Sequence, residues 1–207
     1  LRESTVDRRR GKLLSKIDDK APLAVDPGST HDELFIFAAD GRFARLPVHL
    51  LAEGAATHVA ELGVFRRSDR LAGVLALARA DEEQGEGFLV LATRDGRIKR
   101  VALADAWSAI GVTTAMNIEG GDELIGAVVS DGKSEIVMVS KLGQAIRFAE
   151  AEVRPMGLPA AGVWGMKLGA GDEVVSLALA RPAGFLMVAT SAGYFKRTPL
   201  EEFPVQG

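Results

Sequence analysis

The sequence contains no cysteine, which rules out a disulfide framework and a thiolate metal site and suits a cytosolic protein. No apolar run approaches the length of a membrane span, and Leu1-Arg2-Glu3-Ser4 does not open a signal peptide. Leu1 in place of Met points to a fragment. Aromatic residues make up only 6% of the chain, so Val, Leu, Ile and Ala must supply most of the core. The three His residues, His31, His49 and His58, lie on no metal-ligand spacing. There is no P-loop, no Gly-x-Ser-x-Gly and no His-Glu-x-x-His. The single Tyr, Tyr194, has no neighbouring acidic cluster to hold the divalent metal that DNA cleavage by a tyrosine needs. No catalytic residue, metal site or cofactor is therefore expected.

What the sequence does have is a repeat. Gly184 to Arg197 is a short apolar run, a turn centred on Gly193, and a second run ending in Lys196-Arg197. The same pattern occurs around Gly41, Gly96 and Gly143, and each Gly is followed four residues later by Arg45, Arg100, Arg147 or Arg197. The Gly spacings are 55, 47 and 50 residues. A second mark, Asp18-Asp19, Asp69-Arg70, Asp122-Glu123 and Asp172-Glu173, recurs at 51, 53 and 50. A period near fifty with β-type content indicates an all-β, propeller-like array. One unit, from Gly87 to Lys133, reads as four strands: 88–92, a tight Asp95-Gly96 turn, 97–103, a strand within 112–118, and 124–129. Only Leu103–Ala109 has room for a helical turn. The chain divides into a partial first repeat at 1–30, repeats at 31–86, 87–133 and 134–183, and a partial last repeat at 184–207.

The net charge of -3 speaks against a nucleic-acid partner, but it hides a segregation. The four eight-residue hairpin tips 38–45, 93–100, 140–147 and 190–197 hold ten Lys or Arg and two Asp, a charge of +8, leaving -11 for the rest. Arrayed around an axis, such tips form an arc of positive potential; the plain alternative is that Lys and Arg simply solvate edge hairpins. Side chains two residues apart on a strand share a face. Position two after each Gly is Phe43, Ile98, Ala145 or Phe195, which reads as buried, so position four, Arg45, Arg100, Arg147 and Arg197, falls at the margin of that face. These arginines serve either as structural ion pairs to the repeated Asp or as phosphate contacts at the rim. The outward parity holds Arg42, Arg97, Lys99, Tyr194 and Lys196, with Arg94 and Lys141 in the turns. Removing Arg97, Lys99 or Lys196 is expected to cost little stability, whereas loss of Arg100 or Arg197 lowers the melting temperature.

Several ordered strings extend this reading. Val188 to Gly207 (Val-Ala-Thr-Ser-Ala-Gly-Tyr-Phe-Lys-Arg-Thr-Pro-Leu-Glu-Glu-Phe-Pro-Val-Gln-Gly), Val153-Arg154-Pro155-Met156-Gly157 and Gly162-Val163-Trp164-Gly165-Met166-Lys167-Leu168 closely resemble the C-terminal domain of the DNA gyrase A protein. The resemblance runs through the whole chain and is strongest from about 88 to 207. It implies a β-pinwheel, in which neighbouring blades exchange strands and a basic outer rim binds and bends double-stranded DNA without sequence preference. That family has five or six blades, whereas this sequence supplies about four repeat equivalents. The resemblance also implies partners in the remainder of the gyrase A protein and, through it, in the ATPase-bearing gyrase B protein. It implies a cytoplasmic, nucleoid-associated setting in a bacterium, no membrane contact, and a cleaving Tyr and metal site in other domains. The family's box Gln-Arg-Arg-Gly-Gly-Lys-Gly is matched by Asp7-Arg8-Arg9-Arg10-Gly11-Lys12-Leu13, which keeps Arg8, Arg9, Gly11 and Lys12 and loses the flanks. Arg8, Arg9, Arg10 and Lys12 join the DNA-contact candidates on that basis, and the related A protein of topoisomerase IV stays open as the parent. The rival from another class is a β-propeller interaction scaffold with no nucleic-acid role.

Overall fold

Short β-rich runs separated by Gly turns give sixteen short strands in the computed structural model. It describes residues 26–54, 57–78, 86–181 and 183–206, and the backbone of 6–7 and 12–13. In chain order the strands are β1 (Val6–Asp7), β2 (Lys12–Leu13), β3 (Glu33–Ala38), β4 (Arg42–Pro47), β5 (Leu71–Leu77), β6 (Phe88–Thr93), β7 (Arg97–Ala102) and β8 (Thr113–Thr114). They continue with β9 (Leu124–Ser130), β10 (Glu135–Ser140), β11 (Ala145–Ala149), β12 (Val163–Trp164), β13 (Val174–Ala180), β14 (Phe185–Ala189), β15 (Phe195–Pro199) and β16 (Val205–Gln206). Among the described residues one short α-helix, α1 (Leu103–Ser108), buries Leu103, Ala106 and Trp107. No described helix is long and apolar enough to cross a membrane.

The repeated Gly closes the same hairpin four times. Phe37 pairs with Phe43, Ala92 with Ile98, Val139 with Ala145 and Ala189 with Phe195, always with the Gly at a positive φ between them. A third strand, β5, β9 or β13, pairs antiparallel with the first strand of its own hairpin. Each of these pairings shifts register at the same place, between Phe37 and Ala38, Ala92 and Thr93, and Val139 and Ser140. The shared irregularity shows that the period is structural as well as textual.

The fourth strand of each sheet comes from the following repeat. Thr113 and Thr114 pair with Phe43 and Arg42, and Val163 and Trp164 pair with Ile98 and Arg97. In the third sheet β16 pairs parallel with β11, Val205 opposite Arg147, and the parallel bridge from Arg100 to Pro155 is the equivalent contact one repeat earlier. The strand read from sequence within 112–118 therefore leaves its own unit and completes the preceding sheet. The cause is local: the Gly41 carbonyl accepts from the amides of Ala115 (2.8 Å) and Met116 (3.1 Å). Gly96 does the same with Gly165 (2.9 Å) and Met166 (3.1 Å). Among the described residues the result is three four-stranded sheets and the two-stranded pairs β1–β2 and β14–β15, rather than four complete four-stranded blades.

The cores lie between successive sheets. Leu89 and Leu91 of β6 pack with Phe35, Phe37, Phe43 and Trp107. Val90 and Ala92, on its other face, pack with Ile98, Ile136, Met138 and Phe148. Because β6 is covered on both faces, its sequence is a continuous apolar run with no alternation. Each such Leu or Val contributes about 1.5–3 kcal/mol by burial.

Close approach makes the repeated Gly irreplaceable where a later strand crosses it. A Cβ on Gly96 (φ +97) would lie 2.3 Å from the Met166 carbonyl oxygen, whereas one on Gly143 (φ +90) meets nothing within 4 Å. Both Gly→Ala changes carry backbone strain of about 1–3 kcal/mol. Gly96→Ala adds the steric overlap, so its melting temperature should fall several degrees further than that of Gly143→Ala, at about 2–4 °C per kcal/mol for a chain of this size. Equal shifts in a thermal melt would show that the Met166 carbonyl does not limit this site.

Candidate nucleic-acid interface

The second and third hairpin turns are each clamped by the acidic pair of their own repeat. The Asp122 carboxylate accepts from the amide of Asp95 at 2.9 Å, and that of Asp172 accepts from the amide of Leu142 at 3.0 Å. One residue on, the backbone carbonyls of Glu123 and Glu173 accept from the amides of Arg94 and Lys141, both at 2.8 Å. The Ser140 hydroxyl first, then the amides of Leu142 and Glu173, hold Asp172 below the usual carboxylate range. Likewise the Arg66 amide and then Arg42 lower Asp69. The recurring Asp is thus a scaffold group that fixes where the basic turn points.

These clamps also neutralise most of the basic turns. Arg42 pairs with Asp40 at 2.7 Å and Asp69 at 3.0 Å, which raises its pKa, the Asp40 hydrogen bond contributing most. Glu123 bridges Arg94 (3.3 Å) and Arg70 of the preceding repeat (2.6 Å). Lys141 lies 2.9 Å from Glu173 and its pKa rises through that hydrogen bond. Arg97 differs. It has no carboxylate partner among the described residues; its guanidinium stacks over the Trp164 ring at 4.6 Å and reaches the Gly162 carbonyl at 3.5 Å. Lys141 is exposed, whereas Arg42, Arg94 and Arg97 are half-buried at the turns.

Lys99 is a correction. Expected to face outward, it is 0% exposed, and its ammonium donates to the Ala115 carbonyl at 2.6 Å and to that of Leu158. Alternation fails here because β7 is covered on both faces: by the core around Ile98 on one, and by the connections running through Ala115 and Leu158 on the other. Ala44, the neighbour of Phe43 in the first hairpin, is buried too. Lys196 is exposed, and so is Phe195, which parity assigned to the core. Both sit in a hairpin without flanking strands among the described residues. Tyr194 is exposed. Arg8, Arg9, Arg10 and the side chain of Lys12 lie outside the described residues.

Of the fourth-position arginines Arg100 is buried and Arg45 and Arg147 are half-buried. Arg197, expected on the buried face, is exposed in a hairpin without flanking strands among the described residues. Among those residues none of the four pairs with the repeated Asp. Arg45 stacks on Trp107, Arg100 on Phe88 and Arg197 on Phe185, at 5.2, 4.3 and 4.6 Å. Arg147 pairs with Glu135 at 2.7 Å and donates to the carbonyls of Leu200 and Phe203 in the next repeat. The acidic turn residues are already held by backbone amides, so the arginines find aromatic faces and carbonyls instead. Three further contributors are Arg70, Glu123 and Trp164, of which the first two stand in the recurring acidic mark. The Asp-Glu recurrence points to Glu123, but nothing in it marks Trp164 as the neighbour of Arg97.

Burial depresses the Lys99 pKa from 10.5 to about 8. Between about pH 8 and 10.5 the unfolded chain binds a proton that the folded chain has released, so this group's contribution to stability rises with pH across that window. Denaturant titrations from pH 7 to 10 should show the wild type gaining stability relative to Lys99→Met. A constant difference would show that Lys99 is solvated.

Known proteins resemble this chain in the same terms. The family described as DNA gyrase C-terminal domain, beta-propeller, matches residues 87–131, 134–181 and 184–207. The DNA gyrase A protein of Mycolicibacterium smegmatis is 40% identical over 186 residues, which is 86% of this chain and 22% of that protein. The chain thus spans about a fifth of the length of the curated relatives it matches. A crystal structure of the C-terminal domain of DNA topoisomerase IV superposes with TM-score 0.75 at 29% identity, covering 86% of this chain and 56% of the other. A DNA gyrase A C-terminal domain superposes with TM-score 0.77 at 20% identity, covering 89% and 60%, a likeness of fold alone.

Proposed function

Because the chain belongs to the DNA gyrase A C-terminal domain family, we propose that it binds duplex DNA without sequence preference, bends it, and presents it to the strand-passage machinery of a gyrase. The observation that carries this reading is the set of cations at repeat-related places on three successive sheets, the exposed Lys141 and the half-buried Arg42, Arg94 and Arg97. Duplex phosphates are the natural ligand of such a row, and no recognition helix accompanies it among the described residues to read base edges. In this role the domain is accessory: it sets the DNA path, while the remainder of the gyrase A protein cleaves and the ATPase-bearing B protein supplies turnover. A bacterial cytoplasmic setting and a parent with more blades than this chain supplies belong to the same proposal.

Internal neutralisation shapes the expected affinity. DNA phosphates must compete with Asp40, Asp69, Glu123 and Glu173 for most of the rim. Exposed pairs such as Lys141–Glu173 hold their partners only weakly, so they exchange readily. Touching several blades at once also requires bending, at about 1–6 kcal/mol over 20–30 bp. Binding should be weak on short duplexes and tighten on longer ones, and energy transfer between end labels should rise at saturation.

Anisotropy titrations across salt concentrations test the reading. The logarithm of the affinity should fall steeply with the logarithm of salt, and Arg97→Ala should lower the slope by about 0.9, one phosphate contact. A flat response, or strong discrimination between unrelated duplexes, would leave the protein-interaction scaffold as the better account.

A further inference from the structure

Trp164 is 60% exposed and lies directly across from Arg97 in the β7–β12 pair. Its exposure belongs to the position. Thr114, the equivalent residue across from Arg42, is also exposed. The two positions hold their arginines differently. The hydrogen-bonding edge of Arg42 is taken by Asp40 and Asp69. Arg97 has no carboxylate on its guanidinium among the described residues: its Cζ lies over the indole, 4.6 Å from the centroid. One terminal nitrogen donates to the Gly162 carbonyl at 3.5 Å, and its backbone amide donates to the Thr93 hydroxyl at 3.1 Å.

We propose that Trp164 is a positioning residue for phosphate recognition: its indole holds the Arg97 guanidinium flat so that the N–H edge faces outward to a duplex phosphate. A guanidinium stacked through its π face keeps its in-plane donors available for bidentate contact with phosphate oxygens. The stack also removes rotamer freedom before binding, so less ordering cost falls due on association. Asp95, Glu119 and Asp122 line the cleft beside the pair. They disfavour an anion inside the cleft, so a phosphate on Arg97 stays at the sheet edge. This inference rests on the duplex-binding reading above.

The test is a double-mutant cycle on a labelled duplex of mixed sequence, long enough to span several blades, with each variant's melting temperature measured alongside. Trp164→Leu should weaken binding several-fold and lower the salt slope, Trp164→Phe should recover most of the loss, and Trp164→Leu should add nothing in an Arg97→Ala background. If Trp164→Leu binds like wild type, or costs as much without Arg97 as with it, the positioning role is wrong while duplex binding stands. If the wild type itself fails to bind at low salt, the duplex reading falls first. A second readout needs no substitution. Trp107 is 3% exposed, so acrylamide quenching reports chiefly on Trp164, and saturation with the duplex should protect it. Unchanged quenching at saturation would overturn the proposal.

Discussion

The first two sheets each depend on one carbonyl. The oxygen of Gly41 or Gly96 accepts two consecutive amides from the following repeat, and that bifurcated contact draws the crossing strand onto the preceding sheet. The left-handed Gly conformation aims the oxygen, and the missing Cβ lets the crossing backbone approach. The same crossing brings Trp164 beside Arg97 and sets Met116 and Met166 against the two cores. Packing of α1 sets Trp107 against Arg45, and a related hand-over sets the Leu200 and Phe203 carbonyls against Arg147.

Electrostatics follow from the same geometry. Turns that carry basic residues are tied down by carboxylates because a tight turn leaves amide donors unsatisfied, and Asp is the side chain short enough to cap them. Ion pairing of Arg42, Arg94 and Lys141 is partly a by-product of that capping. The rim is therefore a mosaic of both signs. Among the described residues Arg97 lies over an indole and the exposed Lys196 has no carboxylate partner, while Arg42, Arg94 and Lys141 are paired.

The period, the four hairpins and their turns are legible in the sequence, because Gly, Asp and apolar runs act locally and repeat. So is α1, from a single weak helical segment. Lys99 is misread, since strand parity assumes one wet face, and β7 has none along its middle. The destination of the strand at 113–114 is hidden, because two residues carry no pattern that names a partner; exchange of strands is implied only by the family resemblance. Among the described residues the arginines at position four do not pair with the repeated Asp, and an aromatic partner such as Phe88 or Trp107 lies at no fixed spacing from them. Trp164 is invisible as a functional residue for the same reason: its role depends on a neighbour 67 residues earlier in the chain.

The placement of β7 has a mechanical consequence. β7 is bonded to β6 on one side and to β12 on the other, so Arg97 is anchored in the interior of a sheet. A strand at an edge yields to tension by unzipping one hydrogen bond at a time. A strand flanked on both sides must be sheared from two neighbours, one of which belongs to a different repeat. Tension applied to the Arg97 side chain is thereby spread over two repeats at once, which makes this rim position a stiff point of attachment.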